Sequence, residues 1–156
     1  MTAMSTRPHR DITITRIVDA PRALVFAAWT DPKQLQKWWG PKGFTNPVCE
    51  WDARPGGTLH IVMRAPDGAD YPMKGVFQEV VALERLSFTN IALDVAGNTL
   101  LEGFTTVTFA DEGARTKLTV QTGATGLVAA APAMLEGMQA GWTQSLEKLD
   151  ALLADA

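Results

Sequence analysis

The polar residues that matter most for proton-moving chemistry in this sequence lie inside segments that alternate like strands. His60 and Arg64 share one parity, opposite Leu59, Ile61 and Met63, so an inward apolar set sends both toward solvent. Glu79 has the parity of Met73, Gly75 and Phe77 and is expected to project inward at the end of a cavity. A buried unpaired carboxylate is costly, so it must reach a cation or sit at the rim as a polar group. Glu50 and Asp52 lie on the face of Val48, with Asp52 placed to pair with Arg54 or to cap the Gly56-Gly57 turn. No Gly-x-Ser-x-Gly elbow occurs, and Ser145 has no histidine near it in sequence. Arg54-Pro55-Gly56-Gly57 is a strand-to-strand turn, not a phosphate cradle. Cys49, the single cysteine, reads as a small buried hydrophobe. His9 and His60, far apart and without a cysteine pair, give a zinc site little support. These residues assemble no reaction, and no catalytic residue, metal or cofactor is assigned from them.

Binding by burial is the chemistry the sequence offers instead. Trp38-Trp39-Gly40-Pro41-Lys42-Gly43-Phe44 sets two large rings beside a rigid bend. Neighbouring helix positions diverge by about 100°, so both rings cannot enter one helix-packed core from a helix. Either Trp38 or Trp39 stands with Phe44 at a cavity mouth, or the pair plugs a corner, one ring in the core and the other covering it. Gly137 and Gly141 lie four apart beside Met138 and Trp142. Each helical glycine costs about 1 kcal/mol relative to alanine. A close strand crossing, a partner or room for a ligand would offset that cost. Met134 and Met138 suit a pocket that accepts varied apolar shapes.

The elements that must position these residues are legible from periodicity. Asp11–Asp19 alternates as a strand. Asp19-Ala20-Pro21 starts a helix with Leu24, Val25, Ala28 and Trp29 on its apolar side, and Pro21 is expected at the first helical position. Thr30-Asp31-Pro32 repeats that signal for a short helix carrying Leu35, Trp38 and Trp39. Six strands follow, over Pro47–Ala53, Thr58–Ala65, Tyr71–Val81, Arg85–Ile91, Thr99–Ala110 and Arg115–Gly123. The turns between them are short enough for consecutive antiparallel hairpins. Ala129–Ala154 is expected as one long amphipathic helix, with Leu135, Met138, Trp142, Leu146, Leu149 and Leu153 in one stripe. A meander of this length must bury one face, and only the last helix is long enough to cover it. A twisted sheet curling around a single helix leaves a gap where pockets form.

The chain has 156 residues, a net charge of -3 and no run of Lys or Arg, which argues against nucleic acid and anionic membrane as main partners. No apolar run approaches the roughly 20 residues of a membrane helix. Residues 1–10 read as a flexible polar leader without a secretory core, and residues 11–156 as one domain. The lone cysteine allows no internal disulfide, in keeping with a cytoplasmic location.

The order β-α-α-β6-α is joined by the Ala20-Pro21 helix start, Trp29-Thr30-Asp31-Pro32, the Trp38–Phe44 stretch and Asp52-Ala53-Arg54-Pro55-Gly56-Gly57. Met63, Pro66-Asp67-Gly68, Gly75 with Glu79, and Gly141-Trp142 complete the pattern. Together they resemble the START-like helix-grip (SRPBCC, polyketide cyclase-like) superfamily, and within it the activator-of-Hsp90-ATPase-like domains, from about Asp11 to Leu153. The resemblance implies an α+β fold with a curved antiparallel sheet around a long C-terminal helix. It further implies an apolar or amphipathic small molecule in the sheet–helix cavity. Lining residues are expected to be Trp39, Phe44, Trp51, Met63, Met73, Phe77, Phe88, Met138 and Trp142, with Glu79 as a polar rim. Two other readings stay open. One is a cyclase- or dehydratase-like enzyme, which needs a hydrogen-bonded carboxylate or histidine inside the cavity. The other is a module that docks on a chaperone through an outward Trp38–Phe44 turn, expected here without the additional N-terminal domain that the family's eukaryotic co-chaperone carries. The protein is expected as a monomer or homodimer.

Overall fold

A computed structural model describes residues 7–154. Strand β1 (His9–Val18) leads into helices α1 (Arg22–Thr30) and α2 (Pro32–Trp38). The six strands that follow are β2 (Thr45–Trp51), β3 (Thr58–Arg64), β4 (Asp70–Val81), β5 (Arg85–Leu93), β6 (Thr99–Glu112) and β7 (Arg115–Gly126). The chain ends in helices α3 (Ala131–Glu136) and α4 (Met138–Ala154). One seven-stranded sheet has the order β1-β7-β6-β5-β4-β3-β2, and every neighbouring pair is antiparallel. This is the expected α+β helix-grip architecture. The six-strand meander uses only short turns, whereas β1 crosses to pair with the last strand, Ile14 opposite Val120.

The inward face follows strand parity. Leu59 and Ile61 of β3, Met73 and Phe77 of β4, Leu86 and Phe88 of β5, Val107 and Phe109 of β6, and Leu118 and Val120 of β7 are buried. They pack against Val25, Ala28 and Trp29 of α1, Leu35 and Trp38 of α2, and Leu146, Leu149 and Leu153 of α4 in one core. Complete burial of each such side chain stabilises by roughly 1.5–3 kcal/mol. Leu24 is not part of this face; it is exposed, and Phe26 instead sets its ring against Phe109. Pro21 occupies the N-cap of α1, one position earlier than expected, while Pro32 is the first residue of α2 with Asp31 accepting from the Lys33 amide at 3.0 Å.

Two expectations change. The C-terminal helix is not continuous: α3 ends at Gly137 and α4 begins at Met138. The break coincides with one of the two glycines of this segment, which favour a helix less than any residue except proline. The expected leader reaches residue 10, and its first six residues lie outside the described ones. His9 and Arg10, however, already belong to β1, opposite Thr125 and Ala124. Arg10 extends along the inner side of the sheet and donates from Nη1 to the carbonyls of Leu135 and Glu136, each at 3.0 Å. A guanidinium at the end of α3 offsets the partial negative charge of its free carbonyls. Arg16, six residues further along the same face, grips Asp150 of α4 through Nε at 2.9 Å and Nη2 at 2.6 Å. The edge strand thus clasps both C-terminal helices.

Candidate functional site

The tryptophan pair is resolved by a change of backbone at the second ring. Trp38 is the last residue of α2; its ring is fully buried and its Nε1 donates to the Ala28 carbonyl at 3.0 Å. Trp39 leaves the helix in an extended conformation, so the angular divergence of neighbouring helical positions no longer applies. Its ring also turns inward, 6% exposed. It meets Trp142 edge-on at 5.3 Å and Trp51 at 5.4 Å between centroids. Gly40 then bends the chain with φ +91°, a conformation glycine adopts without strain.

Three polar groups pin this bend from outside. The buried Asn46 donates from Nδ2 to the carbonyls of Gln36 at 3.0 Å and Trp39 at 2.8 Å. Lys148 of α4 directs its ammonium at the carbonyls of Trp39, Gly40 and Pro41, at 3.2–3.4 Å. Partial burial lowers the Lys148 pKa below its ordinary 10.5. Gln144 Oε1 accepts from the Lys42 amide at 3.0 Å. The bend is therefore a fixed wall rather than a free loop.

Behind that wall lies a cavity of about 200 Å³ between sheet and helix. Trp39, Gly40 and Pro41 form one side; Met63, Met73 and Asn90 rise from the sheet; Met138, Gly141, Trp142 and Ser145 come from α4. The lining is mostly apolar. Gly141 faces Pro41, and a methyl group added there would approach Pro41 Cγ to 3.8 Å. Of the nine residues expected around the cavity, Trp39, Met63, Met73, Met138 and Trp142 line it.

The other four do not. Trp51, Phe77 and Phe88 form a tight cluster deeper in the core, with centroids 5.1–5.5 Å apart, and Trp51 Nε1 donates to the Trp29 carbonyl at 2.8 Å. These rings pack on one another in the core and are not part of the cavity lining. Phe44 lies beyond the bend, half-buried and 6.0 Å from the Tyr71 ring. Glu79 is also displaced. A register shift between Phe77 and Glu79 breaks the alternation on which its inward placement depended. It is exposed and pairs with Arg85 at 3.0 Å, outside the cavity.

Asn90, Gly40, Pro41, Gly141 and Ser145 line the cavity without having been expected there. For Asn90 a signal existed: Leu86, Phe88 and Ala92 share its parity, so an amide interrupts an inward-facing set. Ser145 spends its hydroxyl on the Gly141 carbonyl at 2.9 Å. Cys49, whose thiol burial pushes up to about 11, is protonated at neutral pH and contacts the Pro32 carbonyl. His60 and Arg64 face outward, toward Glu50 and Asp70 respectively. Among the described residues no group of three His, Cys, Asp or Glu side chains could hold a metal ion. No described helix is long and apolar enough to cross a membrane. A larger concavity of about 720 Å³ lies on the outer face of β1, β7 and β6 around Gly123. Its lining is nearly as polar as it is apolar, so the smaller and mostly apolar gap is the better site for an apolar ligand.

A curved sheet gripping a C-terminal helix over an aromatic-walled cavity defines the helix-grip class. The chain belongs to the family described as activator of Hsp90 ATPase homolog 1-like protein, whose profile matches residues 19–154. Solved structures agree. A Chromobacterium violaceum protein is 33% identical with a TM-score of 0.79, the match covering 92% of this chain and 96% of that one. A Mycobacterium smegmatis protein is 30% identical with a TM-score of 0.77, covering 92% and 90%. A Silicibacter pomeroyi protein bearing the family's name is 25% identical with a TM-score of 0.80, covering 93% and 98%. No protein of curated function matches the chain.

Proposed function

We propose that the protein binds an apolar or amphipathic small molecule in the cavity between sheet and α4. The observation that carries this reading is the mostly apolar gap of about 200 Å³ walled by Trp39, Trp142 and three methionines. Well-packed interiors hold few voids larger than a water molecule. The wall is also braced by groups that do little for the core itself, Lys148 and Gln144 among them. Met63, Met73 and Met138 can adjust their rotamers to a guest. Membership of a fold family whose members commonly bind hydrophobic ligands supports the same reading.

The enzyme reading has less to work with, because Glu79 is outside and none of the residues lining the cavity is a carboxylate or histidine. A chaperone-docking role through the Trp38–Phe44 turn lacks its outward rings, since Trp38 and Trp39 are buried. The test is a thermal-shift screen of bicyclic aromatics, flavonoids, aromatic polyketides, fatty acids and sterols. A ligand at about 100 times its dissociation constant adds roughly 2.7 kcal/mol of stability. A saturable shift confined to one chemical class supports the reading; a flat panel counts against it and brings protein partners forward.

A further inference from the structure

Among the described residues Asn90 is the only side chain lining the cavity that carries an amide, and the oxygen of that amide is already bonded within the sheet. Thr105 of β6 is fully buried and donates its hydroxyl to Asn90 Oδ1 at 2.8 Å. A hydroxyl has one proton to give. The 2.7 Å contact between Thr105 and the buried Thr122 of β7 is therefore a donation from Thr122. The chain runs Thr122 to Thr105 to Asn90 Oδ1, and it leaves the two Nδ2 protons of Asn90 without a partner among the described residues.

Packing does not require this arrangement. The next inward pair along the same two strands is Val107 opposite Val120, fully buried, and two valines would fill the Thr105 and Thr122 positions without a hydroxyl to satisfy. Buried hydroxyls are costly unless bonded, and here they are bonded to each other and to Asn90. Gly103, opposite Asn90, leaves the amide its room: a side chain there would come within 2.6 Å of Asn90 Nδ2.

We propose that Asn90 Nδ2 is a hydrogen-bond donor anchoring the ligand. The guest would then be a small bicyclic-sized molecule with an apolar body and one acceptor, such as a ketone, lactone or ether oxygen. This inference rests on the binding reading above and specifies the guest's polarity. Its apolar part lies against Trp39, Trp142 and the methionines, with the acceptor toward β5.

The test uses three probes of matched shape: indane with no polar group, 1-indanone with an acceptor, and indole with a donor. Dissociation constants are measured for the native protein and for Asn90→Leu, which keeps the volume but removes the donor. The expected result is an about tenfold weaker affinity of the variant for 1-indanone, with indane unchanged or tighter. In the native protein, which needs no variant to fold, 1-indanone should shift the Asn90 side-chain amide signals in a nitrogen–proton NMR spectrum more than indane does. The anchor is overturned if 1-indanone and indane respond alike to the substitution and leave the same amide shifts, or if indole takes the place of 1-indanone as the sensitive probe. If none of the three binds, the cavity reading itself fails, a result distinct from binding without an acceptor preference.

Discussion

Trp142 belongs to both the core and the cavity. Its ring stacks on the buried Trp29 at 6.2 Å between centroids, meets Trp39 edge-on and forms part of the cavity wall. Trp142→Ala should therefore lower stability by about 3 kcal/mol, as large-to-small core changes do, and also weaken any bound probe. Denaturant melts and a dissociation constant measured under native conditions separate the two; lost stability with unchanged affinity would make the ring structural alone. Lys148 is a subtler case. Burial lowers its pKa in the folded protein, whereas the unfolded chain keeps the ordinary 10.5. Between those two pKa values the unfolded state holds a proton that the folded state has released, so stability from this group rises with pH and levels off above 10.5. The difference in stability between the native protein and Lys148→Met should follow that rise through the alkaline range. A difference that falls instead would mean that the three carbonyls stabilise the ammonium more than burial penalises it.

The glycines give α3 and α4 a division of labour. Gly137 closes α3, and a Cβ there would touch only helix carbonyls, at 3.7 Å and beyond. Gly141 lies inside α4 with its open side on the cavity, facing Pro41. Neither site clashes with an added methyl, so alanine at either should raise stability by up to about 1 kcal/mol through helix propensity. Only Gly141→Ala should weaken probe binding, because only that methyl enters the cavity. Equal binding by both variants would show that the guest does not reach the Gly141 face. The strands show the opposite device, in which one irregularity redirects a side chain. The register shift after Phe77 leaves Glu79 outside with Arg85, although simple alternation places it inside. Strand and helix ends were legible to within a few residues. The bulge was not, because it depends on how two strands settle against each other and not on either strand's own pattern.

For the molecule as a whole, cavity size sets the guest. About 200 Å³ lies below the ~300–1,000 Å³ usual for drug-sized ligands, so bicyclic probes should raise the melting temperature while sterols leave it unchanged. A sterol-induced shift would require the methionine side to open. By itself the sequence determined the β-α-α-β6 order, the antiparallel meander, the gripping helical C-terminal segment and five of the ten residues on the cavity wall. These follow from local periodicity, turn chemistry and the need to bury one face of a sheet, all of which are written within short stretches of chain. Only the tertiary structure decided that both tryptophans turn inward, that Trp51, Phe77 and Phe88 close on one another in the core, and that Asn90 receives the Thr122–Thr105 chain. Each of these depends on residues far apart in sequence: Trp39 on Trp142, Trp51 on Trp29, and Asn90 on hydroxyls from two other strands. Periodicity assigns a side chain to a face of its own element. Whether that face meets a tight cluster or an open space depends on the volume of what arrives opposite, and that is fixed only when the sheet closes over the helices.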